Sequence, residues 1–278
     1  MSEMIGLHDD RFIEGLSRLA AAVQNEGARL FAQLYQAGRY AFSMITGKPA
    51  LAPSAIASKL TRETPQAMDR DEIEMVQNSF VQAALRARSA GLDGVEVLGS
   101  AGYLISQFLS PLTNTREDEY GGSWENRTRF GREVMARIRR AVGPDFPVMV
   151  RVAGNDFMPG GHTNREAAAF ARDLVAAGAD AVNVTGGWHE TRVPQLTMMV
   201  PEGAFTYLAR GVKAQVSVPV VACNRINDPR LADRILRKGW ADLIGMARGL
   251  ITDPDLPRKA MGGNFQAIQH CIGCNQGC

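Results

Sequence analysis

Six times along this 278-residue chain a helical segment is followed by a short, β-branched strand, and five of these helices close on Gly or Ala-Gly. Residues 9–26 precede RLFAQLY (29–35), residues 69–90 precede DGVEVLG (93–99), and residues 126–142 precede PVMVRV (147–152). Residues 164–177 precede DAVNVTG (180–186), residues 205–215 precede PVVACN (219–224), and residues 228–238 precede DLIGMAR (242–248). Gly27, Gly91, Gly143, Gly178 and Gly239 stand where helix C-caps are wanted. The strands read as apolar runs, as expected of a parallel sheet flanked by helices.

Such βα repetition fits an open doubly wound sheet or a (β/α)8 TIM barrel. A dinucleotide-binding sheet should show G-x-G-x-x-G after its first strand, and RLFAQLYQAGRY does not contain it. Polar residues gather instead at strand C-terminal ends: Gln33, Arg151, Asn183, Asn224, Arg225 and Arg248. Barrel enzymes carry their ligand groups there. The expected fold is therefore an α/β TIM barrel lacking its first two strands, because the chain opens on a helix feeding the first visible strand. Residues 1–262 form this barrel domain. The segment 45–68, with Pro49, Pro53 and Pro65, is long for a connection and is expected to be a functional loop or a mobile lid.

The balance of 31 basic against 29 acidic residues argues against a nucleic-acid partner. No apolar run approaches the ~18 residues of a membrane helix, and the opening MSEMIGLHDDRF lacks the layout of a signal peptide. With only four cysteines and no secretory context, a cytoplasmic location is expected.

The stretch EVLGSAGYLISQFLSPLTNTREDEYGGSWENRTRF resembles the old yellow enzyme superfamily of FMN-dependent NADH:flavin oxidoreductases. TGGWHETRVP, ACNRINDP, ADLIGMARGLITDP and CIGCNQGC are similar to its 2,4-dienoyl-CoA reductase-like branch and, more distantly, to trimethylamine dehydrogenase. The resemblance implies an FMN-dependent oxidoreductase reducing an activated C=C bond of a small unsaturated substrate. It implies Tyr103 as the proton donor, assisted by His189 in GGWHE; LGSAGYL lacks the histidine-containing pair of other old yellow enzymes. Tyrosine suits that work because it stays neutral and protonated at pH 7.

FMN needs an amide for its ring edge, a cation where reduction builds negative charge, and donors for its phosphate. The resemblance assigns these to Gln33, to Arg151, and to Arg225, Ala247 and Arg248 in turn. It places Thr113, Asn114, Arg116 and Arg192 toward substrate, with the alternative that Arg116 simply anchors its loop to Asp118. Other members of the superfamily reduce enones or oxidise amines, and a barrel fragment completed by a partner chain is a further alternative.

The chain closes on CIGCNQGC, so three of its four cysteines fall in eight positions. Thiolates spaced in this way suit iron–sulfur iron or zinc. The resemblance implies that Cys271, Cys274 and Cys278 are the first ligands of a [4Fe–4S] cluster in a segment 263–278. A fourth cysteine and a module for FAD and NAD(P)H would then come from missing domains. Cys223, inside a strand, reads as a small core residue.

Overall fold

The computed structural model describes residues 5–191 and 197–276. Its main sheet contains β1 (Phe31–Leu34), β2 (Gly94–Gly99), β3 (Val148–Ala153), β4 (Ala181–Thr185), β5 (Val220–Ala222) and β6 (Leu243–Ile244). All pairings are parallel and the spatial order is the chain order. Right-handed crossovers in one unreversed order put every connecting helix on the same face, which curves the sheet as a barrel wall. The result is a six-stranded arc of a TIM barrel that does not close among the described residues.

Local chemistry accounts for the elements. Helix Arg70–Ser89 starts on a capping box between Asp69 and Glu72 and buries Ile73, Val76, Phe80, Ala84 and Ala87 along one stripe. Helix Asn164–Ala176 starts on the same device, Thr163 with Glu166. The five glycines expected at helix ends all have φ between 65° and 114°.

Three strands are also tied by one repeated contact. The aspartate opening β2, β4 or β6 accepts from the backbone N–H at the start of the preceding strand. Asp93 takes Leu30 N at 2.8 Å, Asp180 takes Val148 N at 2.7 Å, and Asp242 takes Val220 N at 2.9 Å. Each also pairs with a cation, Arg29, Arg139 and Lys213 in turn. The D-G-V, D-A-V and D-L-I triplets are thus the stitches between neighbouring strands.

β5 is the buried apolar run expected of it, whereas β1 to β4 depart from that pattern by carrying polar residues on one face. Val95, Val97, Val148, Val150, Val182, Val184 and Val220 are buried under the helices. On the opposite face Gln33 and Leu243 are exposed, while Glu96, Met149, Arg151 and Asn183 are half-buried. That second face is the concave wall of an open arc, so it carries polar groups with access to solvent.

The segment 45–68 is ordered by its own contacts. A short parallel pair joins Leu51–Ala52 to Gln66–Ala67, and Arg62 N bonds Ser58 O at 2.9 Å. The loop after β3 is closed by a buried pair, His162 and Asp156, with side chains 3% and 0% exposed. His162 Nε2 lies 2.8 Å from Ala153 O, and Nδ1 lies 2.9 Å from an Asp156 carboxylate oxygen. Nε2 bonds a carbonyl and Nδ1 stands at ion-pair distance from the carboxylate without a hydrogen bond, so it is the negative charge beside the ring that favours the imidazolium. Burial alone would lower the His162 pKa, but the Asp156 carboxylate beside it carries it above the ordinary value.

Because the folded value is the raised one, the stabilisation is complete below the unfolded pKa of about 6.5. It is lost as pH climbs through the folded pKa. Urea unfolding across this range should show the stability advantage of the native protein over His162→Gln shrinking with rising pH. An advantage constant between about pH 6 and pH 9 contradicts the assignment.

Candidate active site at the strand ends

The concave face carries a chain of polar contacts. Gln33 on β1 and Glu96 on β2 are register partners. Gln33 Nε2 donates to Glu96 Oε1 at 2.6 Å, and Asn183 Nδ2 on β4 donates to Glu96 Oε2 at 2.7 Å. Arg151 on β3 is in register with Asn183, and its Nη2 lies 3.7 Å from Cys223 Sγ. Cys223 is buried, as expected of a core residue, and donates its thiol to Val184 O at 3.0 Å.

Past the ends of β2 and β4 the chain builds an aromatic cluster. Ala101 (φ 61°) and Gly102 (φ 82°) form consecutive left-handed turns. A side chain at Gly102 would have its Cβ 2.5 Å from Tyr40 Oη and 2.9 Å from the Trp188 ring. This tight turn presents Tyr103 at the N-terminus of helix Leu104–Leu109. A lone bridge pairs Ala101 with Trp188, which carries the His189 loop alongside.

Tyr103 Oη and His189 Nε2 are 3.0 Å apart. Tyr35 packs on Tyr103 with ring centroids 5.2 Å apart, and Tyr40 lies 5.9 Å from Tyr103 and 5.7 Å from His189. Burial, followed by the neighbouring Tyr35, raises the Tyr103 pKa, and burial lowers that of His189. At neutral pH the pair is therefore a protonated phenol against an uncharged imidazole, with one proton available between them.

The loop holding His189 is pinned by its neighbour. Glu190 accepts from Ser58 Oγ at 3.0 Å and from Lys59 N at 2.8 Å, and it pairs with Arg39. The Arg39 and Glu190 side chains are only 5% and 3% exposed. This ion pair is what the long segment 45–68 closes over.

A third group forms after β5 and β6. Asn224 (φ 72°) and Arg225 (φ 54°) are consecutive non-glycine residues in left-handed backbone, a conformation that must be held by its surroundings. Arg225 is buried; its Nε donates to Val200 O at 3.0 Å, while Nη1 has no hydrogen-bond partner among the described residues. Ala247 caps the five-residue helix Arg248–Thr252, and Arg248 Nη1 bonds Asn275. Asn227 Nδ2 reaches Cys271 O at 3.1 Å, so the cysteine segment lies along these strand ends.

Other candidate residues do not join the cluster. Thr113 and Asn114 are buried and bonded to the carbonyls of Gln107, and of Phe108 and Tyr120. Arg116 binds Asp118, Pro53 O at 2.9 Å and Met68 O at 2.6 Å, taking the anchoring role. These three side chains shape the loop. Its turn leaves no room at Gly121, where a Cβ would stand 2.1 Å from Arg116 O. Gly121→Ala should lower unfolding stability by about 1–3 kcal/mol through forced backbone displacement; an unchanged melting midpoint would contradict this packing.

Arg192 and Cys278 lie outside the described residues. Cys271 and Cys274 are free thiols, and no metal-holding group of His, Cys, Asp or Glu occurs among the described residues. No helix there is long and apolar enough to cross a membrane. Sequence reasoning passed over Glu96, Tyr35, Tyr40, Arg39 and Glu190. Glu96 had a visible signal, a charge within the valine-rich GVEVLG.

Comparison with known proteins shows the family and the fold. The sequence profile of the NADH:flavin oxidoreductase / NADH oxidase family matches residues 1–265. A metal reductase of Desulforamulus reducens is 62% identical over 275 residues, 99% of this chain and 41% of that protein. An NADH oxidase of Thermoanaerobacter brockii is 40% identical over 277 residues, 98% of this chain and 42% of that protein. The solved complex of a 2-naphthoyl-CoA reductase superposes with a TM-score of 0.94 at 35% identity, covering 98% of this chain and 44% of that one. The chain thus spans about two-fifths of the length of these relatives.

Proposed function

The chain belongs to the NADH:flavin oxidoreductase / NADH oxidase family, and on that premise we propose that it is the FMN-binding catalytic barrel of a C=C reductase. The proposed substrate is an unsaturated acyl thioester of the 2,4-dienoyl-CoA type. The observation that carries the proposal is the Tyr103–His189 pair, 3.0 Å apart at the strand ends. A reductase of conjugated double bonds must add a proton as well as reducing equivalents, and this pair holds a proton at Tyr103 Oη. The similar 2-naphthoyl-CoA reductase, by its name, acts on a thioester of coenzyme A, which supports the substrate class.

The residues present fit FMN. Among the described residues buried Arg225 Nη1 has no partner, as a donor awaiting phosphate would, and Asn183 Oδ1 on the concave face also has none. Arg225, Arg248 and the backbone at Ala247 would hold the phosphate. Gln33 would meet the ring's amide edge, and Arg151 would supply a cation where negative charge gathers. When bound, FMN supplies the reducing equivalents. Tyr103 gives its proton to the substrate carbon, and His189, which accepts the hydrogen bond of the phenol, relays a proton taken from solvent back to it. Thr113 and Asn114 act by fixing the loop beside Tyr103, and Arg192 is proposed toward substrate on resemblance alone.

Cys271 and Cys274 are proposed, with Cys278, as the start of a [4Fe–4S] segment. The support is their spacing and the course of residues 271–276 past Asn227 and Arg248. NAD(P)H and FAD would be handled by parts of a longer protein. To test the substrate class, the FMN-loaded protein is reduced with dithionite and mixed anaerobically with a dienoyl-CoA or a simple enone. Faster reoxidation by the thioester supports the proposal. Equal rates would assign an enone reductase instead, and no reoxidation by either would refute both.

A further inference from the structure

Glu96 organises the centre of the concave face. Its carboxylate reaches across three strands, taking Gln33 Nε2 on β1 at 2.6 Å and Asn183 Nδ2 on β4 at 2.7 Å, with β3 between. A carboxylate only accepts hydrogen bonds. Both amides must therefore turn their NH2 groups toward it and their oxygens away. Asn183 shows the consequence: its Oδ1 is buried and has no partner among the described residues. Left alone, each amide could rotate end for end at little penalty. Held by Glu96, each has one orientation.

We propose that Glu96 is a positioning residue that fixes Gln33 and Asn183 as acceptor-outward amides for the flavin ring edge, an inference that rests on the FMN reading. Charge-assisted hydrogen bonds are shorter and about twice as strong as neutral ones, so the carboxylate holds this orientation better than a neutral acceptor could. Glu96 also places a negative charge on the wall that carries Arg151. Reduction adds electrons to the flavin, and a fixed anion nearby opposes that gain electrostatically. Glu96 therefore holds the midpoint potential of bound FMN down while tightening its binding.

Glu96→Gln separates these effects from shape, since glutamine fills the same space but can donate as well as accept. In flavin-free protein, the side-chain amide proton resonances of Gln33 and Asn183 should lie downfield of their positions in the variant. FMN titration should show affinity falling roughly tenfold on loss of a charge-assisted bond, and potentiometry should show the midpoint rising. Amide resonances unchanged in Glu96→Gln overturn the positioning, whatever becomes of FMN. Shifted resonances with unchanged affinity and potential overturn its link to the flavin.

A native protein that takes up no FMN would refute the functional reading, while the amide resonances still decide the orientation of the two side chains. If Glu96→Gln fails to fold, Glu96→Asp decides the question. The shorter acid keeps the charge but not the reach, so affinity should fall while the potential stays near the native value. Native affinity in Glu96→Asp would overturn the proposal.

Discussion

Replacing Tyr103 with Phe is expected to slow substrate-driven reoxidation of the reduced flavin by about 10²- to 10⁴-fold, the usual worth of a positioned general acid. FMN affinity and chemical reduction of the flavin should be unchanged, because among the described residues the phenol oxygen bonds His189, which is not among the groups assigned to the cofactor. The ring stays in place in the variant, packed against Tyr35 and Tyr40, so the loss is confined to the proton. His189→Ala should give a smaller loss, since Tyr103 keeps its proton at neutral pH through burial and its Tyr35 neighbour. Stopped-flow spectroscopy checks both. A Tyr103→Phe rate within a factor of about three of the native rate would remove Tyr103 from the chemistry.

Glu190→Ala should be the most damaging substitution for stability. Removing one partner of a buried ion pair leaves an uncompensated charge at a loss of about 3–5 kcal/mol. Here the charge left behind is Arg39, 5% exposed and lying over the rings of Tyr40 and Trp188. The contacts of Glu190 with Ser58 and Lys59 also go, so segment 45–68 loses its attachment to the His189 loop. Denaturant unfolding measures the stability, and limited proteolysis reports cleavage within 45–68. Replacing both partners, as Arg39→Met with Glu190→Leu, should recover much of the stability but not the order of the loop. Native stability in Glu190→Ala would show that the pair is solvated in solution.

The repeat of helix, glycine and strand made the barrel wall legible, because the caps that set each helix lie beside it in sequence. The register aspartates were less so, since their strand partners lie 63, 32 and 22 positions back. The alternation of β2 was readable in GVEVLG, but apolar neighbours on both sides hid it, and only the open arc shows Glu96 facing inward. Tyr103 and His189 are 86 positions apart and Arg39 and Glu190 are 151 apart. No local pattern joins such pairs. The first was found by resemblance to a family, and the second was missed because nothing in GRY or HET marks a buried salt bridge. Thr113, Asn114 and Arg116 were recognised as a motif, but their side chains turn into the loop they belong to.

On the proposed function the polar strand ends form an FMN cradle beside the Tyr103–His189 pair. Fluorescence titration of the flavin-free protein with FMN, repeated on Arg225→Ala, tests it most directly. Saturation at one FMN per chain is expected, with affinity lowered at least tenfold in the variant through loss of a charge-assisted phosphate contact. Saturable binding with equal affinity in both proteins would move the phosphate away from Arg225, and no binding by the native chain would contradict the cradle itself.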